Sequence, residues 1–143
     1  MAWGEWRERL ASLFRRAARR GGALGREGER AAERHLEGLG YHILERNYRV
    51  RGGEADLVAA KDGLVVVIEV KARNSRAFGA PADAVTPRKA RRVLRAGRIF
   101  CRARGLSVSK LRADVVAVER EGAGFTLRHY PNALSDPAPR RRR

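Results

Sequence analysis

Acidic side chains are scarce in this chain. Its 143 residues carry 16 Asp and Glu against 32 Lys and Arg, a formal net charge of +16. A chain so unbalanced repels itself, and its natural counterpart is a polyanion, with nucleic acid first and an anionic membrane surface second. Cysteine is almost absent: the single Cys101 excludes an internal disulfide. No run approaches the roughly 20 apolar residues that cross a bilayer. The N-terminus also lacks an uncharged apolar centre of the signal-peptide kind. A reducing cytoplasm is therefore the expected compartment. Aromatic residues make up only 6%, which weakens any reading built on base stacking. The 43% hydrophobic content still suffices for one core.

The charge is unevenly spread. Residues 1–22 hold six Arg and two Glu, and Arg140 to Arg143 close the chain, so these two ends contribute +4 each and 23–139 keeps +8. Three regions follow: a basic N-terminal extension (1–22), one domain (23–130) and a Pro/Arg-rich tail (131–143) expected to be disordered. In the extension Trp3, Trp6, Leu10, Leu13 and Phe14 recur at helical spacing among arginines. It is either an amphipathic helix for a membrane surface or partner, or a solvated, loosely packed arm.

Hydrophobic periodicity orders the domain as α-β-β-β-α-β-β, an α/β class with a mixed central sheet flanked by helices. The first helix spans about 24–39, with Leu24, Gly28, Ala31, Ala32, His35, Leu36 and Leu39 on one stripe. His35 reads as a core histidine. Glu29 lies roughly 20° from Leu36 at about 100° per residue, on the edge of that stripe. Strands are expected over 41–49, 54–60 and 64–71, with Lys61-Asp62-Gly63 as a tight turn. The third strand is apolar on both faces and therefore central. Thr86 and Pro87 start a second helix that Gly105 closes. Ala90, Val93, Leu94, Gly97, Phe100 and Cys101 form its apolar face. Strands over 114–118 and 125–129 finish the sheet.

Two hairpin-linked strands carry acids within apolar runs, Glu54-Ala55-Asp56-Leu57-Val58 and Val67-Ile68-Glu69-Val70-Lys71. Asp56 and Glu69 are equally distant from the turn, so pairing sets them side by side. Alternation puts Glu54 on the face of Asp56, and Lys71 on that of Glu69. Two close carboxylates in apolar surroundings are costly, and a divalent cation offsets that cost. Mg²⁺ takes one or two carboxylates, waters and phosphate oxygens, and Mn²⁺ suits the same oxygens. Lys71 could orient or deprotonate a water there. The bland alternative is a strand-end salt bridge between Lys71 and Glu69. Glu54 either joins the site or pairs with Arg51 or Arg73.

The pattern D-x12-E-x-K across a hairpin, after a helix with an edge-facing Glu, resembles the PD-(D/E)XK nuclease superfamily. The segments LGREGERAAERHLEGLGYHILERNYR, RGGEADLVA, VVVIEVKAR, FGAPADAVTPRKARR and ADVVAV resemble more closely the YraN-type bacterial family, itself similar to Holliday-junction resolvases. They cover about 24–118. The resemblance implies a restriction-endonuclease-like core and a metal-dependent endonuclease acting on DNA at branched structures, working as a homodimer. It implies Glu29, Asp56 and Glu69 as metal-site acids, with the Val70 carbonyl contributing, and Lys71 as the catalytic lysine. Ala55 stands where the superfamily name has proline.

Ten basic residues and no acid lie between Arg88 and Arg112. Arg88, Arg91, Arg95, Arg98 and Arg102 step by three and four along the second helix, opposite its apolar face. Such a helix has only repulsion along that stripe, a cost that a phosphate backbone relieves. With Lys89, Arg92, Arg73 and Arg76, these residues form the expected nucleic-acid surface. The stripe has no aromatic platform, so it reads backbone and shape. Two other readings stand beside the nuclease: a non-catalytic DNA- or RNA-binding protein that retains the fold, and an assembly protein working through Trp3 and Trp6.

Overall fold

A computed structural model describes residues 22–73 and 85–135. The Trp3/Trp6 segment, Arg76 and its loop, and the arginine run lie outside the described residues. The element order is α1 (Gly22–Gly38), β1 (His42–Val50), β2 (Gly53–Lys61), β3 (Leu64–Arg73), α2 (Pro87–Ala103), β4 (Leu111–Glu121) and β5 (Gly124–Tyr130), with one turn of 3-10 helix at Val108–Lys110. This is the α-β-β-β-α-β-β arrangement of a restriction-endonuclease-like core.

The five strands lie in chain order, β1-β2-β3-β4-β5, with β3 at the centre. All neighbours run antiparallel except β3 and β4, which are parallel. Parallel neighbours need a crossover, and α2 supplies it. The carboxyl end of β3 therefore leads into the amino end of α2.

Each helix covers one face of the sheet. Ala31, Ala32 and Leu36 of α1 pack with Leu57, Ala59, Val66, Ile68, Val116 and Val118. Ala90, Val93, Leu94, Ala96, Phe100 and Cys101 of α2 pack with Val58, Val65, Val67, Ala113 and Val115. Both helices end in the same reciprocal cap, with Tyr41 N–H bonding Leu36 O and Leu106 N–H bonding Cys101 O. The left-handed residues these caps need are Gly40 (φ 91°) and Gly105 (φ 66°). Capping puts Leu39 past the end of α1, where it is 46% exposed rather than part of the stripe. His35 is only half-buried, not a core histidine. At the other end of the chain Leu134 is buried, and its N–H bonds Ala113 O. Order thus continues past 131, where the sequence reads as the start of a disordered tail.

Gly53 lets α2 rest directly on β2. A Cβ there would meet the Ala96 nitrogen and the Arg92 carbonyl oxygen, each at 2.9 Å. Both are backbone atoms and cannot swing aside. Gly53→Ala is expected to destabilise the fold by about 1–3 kcal/mol, read as a lower urea midpoint.

Side-chain alternation breaks in one row of the sheet. Ala55 packs with the α2 core and Leu57 with the α1 core, although they are two residues apart. The same happens on β1. Tyr48 stacks edge-on against Phe100 of α2 at 5.4 Å, whereas Arg46 pairs with Glu33 of α1. The β1–β2 ladder joins Arg46 to Leu57 and Tyr48 to Ala55 and skips Asn47 and Asp56 between them. Asn47 has φ 48°, a left-handed conformation that turns the chain over. The β2–β3 ladder also stops there, at Leu57 and Ile68. The strands thus open where the next row would place Asp56 opposite Glu69.

Candidate metal centre and nucleic-acid interface

The opened row gathers the acids. Glu69 is only 3% exposed. Its Oε1 lies 3.1 Å from Lys71 Nζ and 3.8 Å from Lys89 Nζ, while its Oε2 is buried without a hydrogen-bond partner among the described residues. Asp56 turns its carboxylate across the gap, and Oδ2 accepts the Val70 N–H at 2.7 Å. Burial pushes the Asp56 carboxyl well above its ordinary value, and the charge of Glu69 pushes it further. The Val70 N–H and Lys89 pull in the opposite direction without prevailing. Glu29 of α1 is raised for the same two reasons, burial and then Glu69, while a hydrogen bond with the Asn47 side chain partly offsets them.

Lys89, expected on the nucleic-acid surface, turns its ammonium into this cluster. The Thr86 hydroxyl caps α2 by accepting the Lys89 N–H at 3.0 Å. Lys89 Nζ then donates to Glu54 Oε1 at 2.5 Å. Burial alone would lower the pKa of this ammonium, but Glu69, the Glu54 hydrogen bond and Asp56 together hold it above its ordinary value. Glu54 in turn is lowered, chiefly by the Lys89 hydrogen bond. Glu54 therefore pairs with neither Arg51 nor Arg73. Lys89, rather than regular alternation, relates it to Asp56.

One further expectation changes. Arg73 is 8% exposed and bonds Glu119 across the parallel β3–β4 pair, Nε to Oε1 at 3.1 Å. It is not a surface contact. The Val70 N–H is given to Asp56, and a contact of its carbonyl with a metal belongs to the proposal below. Asn47 is a site residue that the sequence reading does not single out. Its signal was a residue tolerant of the left-handed region within a run that otherwise read as strand. The signal for Lys89 was its place in the first turn of the helix that follows β3, since sites in α/β folds gather at strand carboxyl ends.

On α2, Arg88, Arg91, Arg95 and Arg102 are exposed, while Arg92 and Arg98 are half-buried. Arg95 Nε donates to the Arg51 carbonyl at 2.7 Å, which ties the stripe to the β1–β2 turn. The stripe thus runs along one face of the sheet from the end that holds the acids.

A buried carboxylate oxygen without a partner, beside a second carboxyl whose ionisation is opposed, is a donor set that a hard divalent cation satisfies. Asp56 and Glu69 fit such an ion. Among the described residues no three His, Cys, Asp or Glu side chains form a metal cluster, so Glu29 neighbours the pair without completing a triad with it.

The fold and this row define an α/β core with a carboxylate–lysine cluster at the opened end of its central strand. Residues 28–118 match the profile described as Uncharacterised protein family UPF0102, and the chain belongs to that family. It is 46% identical over 113 residues to a UPF0102 protein of Pseudarthrobacter chlorophenolicus, covering 79% of this chain and 86% of the relative. It is 42% identical over 111 residues to one of Desulforapulum autotrophicum (78% and 92%) and 37% identical over 114 residues to one of Flavobacterium johnsoniae (78% and 93%). The matched stretch 28–118 contains Glu29, Asn47, Asp56, Glu69, Lys71 and Lys89.

Proposed function

We propose that this protein binds nucleic acid and hydrolyses DNA phosphodiester bonds as a divalent-metal-dependent endonuclease. The observation that carries this reading is the unpartnered, buried Glu69 Oε2 beside Asp56. Asp56 and Glu69 would hold Mg²⁺ or Mn²⁺, with the Val70 carbonyl contributing. Such an ion, when bound, polarises a phosphoryl oxygen and acidifies a coordinated water.

The chain's own residues supply the rest. Lys71 stands at Glu69 Oε1, where it can orient an attacking water and accept or return its proton. Lys89 brings a second cation to the same carboxylate and couples it to Glu54. Glu29, which feels the charge of Glu69, adds a third carboxyl at the edge of the site. The exposed arginines of α2 grip the phosphate backbone next to the scissile bond. Branched DNA as substrate and a homodimer as the working form remain part of the proposal. So does a cytoplasmic location, which accords with a free, buried Cys101. No helix among the described residues is long and apolar enough to cross a membrane.

A non-catalytic nucleic-acid-binding protein is the second reading, favoured by one observation: Lys71 and Lys89 already flank Glu69 as an ion-pair network. The test is cleavage of labelled four-way junction, flap, single-stranded and duplex DNA with Mg²⁺ or Mn²⁺. Lys71→Ala is expected to lose about 10²- to 10⁴-fold in rate, and Glu69→Gln to lose cutting altogether. Binding without any cutting by the wild type favours the second reading.

A further inference from the structure

The face of the sheet opposite the arginine stripe carries a feature that the nuclease reading does not use. A recess of about 180 Å³ lies between α1 and the β1–β2 pair. Its α1 wall is Arg26, Glu29, Arg30 and Glu33, its strand wall is Arg46 and Asn47, and Leu57 is its floor. We infer that this recess is a second seat for the sugar–phosphate backbone of a nucleic acid, next to the scissile phosphate and across the sheet from α2.

Charge accounting within the recess favours an anion. Glu33 and Arg46 satisfy each other, the guanidinium Nε lying 2.9 Å from Glu33 Oε2. Glu29 stands with Asn47 in the lining. Arg26 and Arg30 remain, four residues apart and hence one above the other on the helix. Both are exposed, and neither has an ion-pair partner among the described residues. Two uncommitted cations thus face one acid.

Position selects the kind of anion. Glu29 and Asn47 line the recess, and they also belong to the opened row, where Asn47 stands beside Asp56 and Glu29 feels the charge of Glu69. An anion at Arg26 and Arg30 is therefore a neighbour of whatever occupies the acids. Leu57, 1% exposed, gives the recess an apolar floor, which suits the face of a sugar better than a free inorganic ion. The break in alternation at Asn47 and Asp56 is what connects this recess with the site, because it turns neighbouring residues toward both faces. A backbone passing over the opened end of the sheet then meets Arg88 and Arg91 on one face and Arg26 and Arg30 on the other.

The inference rests on the nucleic-acid reading, and one experiment separates the two. Binding of a short fluorescein-labelled DNA duplex is measured against salt concentration for the wild-type chain, for Arg26→Gln/Arg30→Gln and for Arg91→Gln/Arg102→Gln. Loss of two phosphate contacts in the recess is expected to lower the slope of log K against log salt by about 1.8, with an unchanged melting temperature. Arg26→Lys/Arg30→Lys, which keeps both charges, is expected to retain the wild-type slope. An unchanged slope in the glutamine pair, with a reduced slope in the α2 pair, overturns the recess and leaves the nucleic-acid reading standing. A glutamine pair that unfolds, together with a lysine pair that folds but shows the reduced slope, also overturns it. A wild-type chain with no salt-dependent binding overturns both.

Discussion

Asp56→Asn is expected to slow metal-dependent cleavage about a thousandfold while making the metal-free protein more stable. The two effects share one cause. Burial and the charge of Glu69 both oppose ionisation of Asp56, so its carboxyl titrates well above the ordinary 3.8. Asparagine carries no charge, and its Oδ1 can still accept the Val70 N–H that Asp56 Oδ2 accepts at 2.7 Å. The gain should be about 1 kcal/mol at neutral pH, or about 4 °C in melting temperature for a domain of this size. The loss of a metal ligand should remove several kcal/mol of transition-state stabilisation, about three orders of magnitude in rate.

The pH dependence has a definite sign. A carboxyl whose folded-state pKa is raised binds protons more readily in the folded chain than in the unfolded one. Its contribution favours folding on the acid side and is lost as pH rises through the folded-state value. Asp56 and Glu29, raised above 3.8 and 4.5 respectively, both act this way. The metal-free wild type should therefore melt higher as pH is lowered from neutrality toward those ordinary values, until general acid unfolding takes over. Asp56→Asn should flatten that rise. Mg²⁺ at neutral pH should raise the melting temperature of the wild type and leave the variant unmoved. A variant that melts lower than wild type at neutral pH, with the same pH profile, would contradict the account of Asp56 as a site acid held against its preference.

Asp114→Ala should produce the largest loss of stability. Asp114 is fully buried in β4, and four hydrogen bonds converge on its carboxylate. Arg112 donates Nε to Oδ1 at 2.9 Å and Nη2 to Oδ2 at 2.8 Å. The Asn132 N–H reaches Oδ1 at 2.8 Å, and His129 Nε2 lies 2.7 Å from Oδ2. Arg112 Nη2 also donates to the Tyr41 hydroxyl at 2.6 Å, and Tyr41 packs edge-on against His129 with ring centres 5.6 Å apart. One carboxylate thus joins β4 to β5, to the segment after β5 and to the junction of α1 with β1. Alanine would leave a half-buried guanidinium, an imidazole and a backbone N–H without their acceptor. Removing one partner of a buried ionic cluster costs about 3–5 kcal/mol, read from the urea midpoint at a constant slope. Asp114→Asn, which keeps one acceptor oxygen, should cost less. A loss under about 1 kcal/mol for alanine would show that Arg112 and His129 find water instead.

The signals that could be read from the chain were local ones. Ala31, Ala32 and Leu36 of the α1 stripe, the Thr86-Pro87 start of α2 and its Gly105 close each depend on residues within one or two turns, and the structure has them where the spacing puts them. The register of β2 against β3, which sets Asp56 in line with Glu69, was legible too, because a tight turn fixes hairpin register from its own residues. Contacts over longer separations were not legible. Glu119, which takes Arg73 out of the surface, lies 46 residues further on, across a parallel pair whose register is set by the α2 crossover. Lys89 shares its helix with the exposed arginines, and only the approach of α2 to β2 over Gly53 decides that its ammonium turns inward. The kink at Asn47 overrode the alternation from which a shared face for Glu54 and Asp56 was inferred. Asp114 could have been singled out from the sequence, since an acid opening the apolar run Val115–Val118 must be buried with partners or lie at an end.

The irregularity of β1 has another consequence. β1 is an outer strand of the sheet, and a straight outer strand offers its free N–H and carbonyl groups to any passing chain. Here the strand is offset by a bulge between Ile43 and Glu45 and inverted at Asn47, and Glu45, Arg46 and Arg49 add charge along it. No run of regular, uncharged backbone remains long enough to template a neighbour. The same distortion that opens the acid row therefore also guards this margin against sheet-to-sheet aggregation.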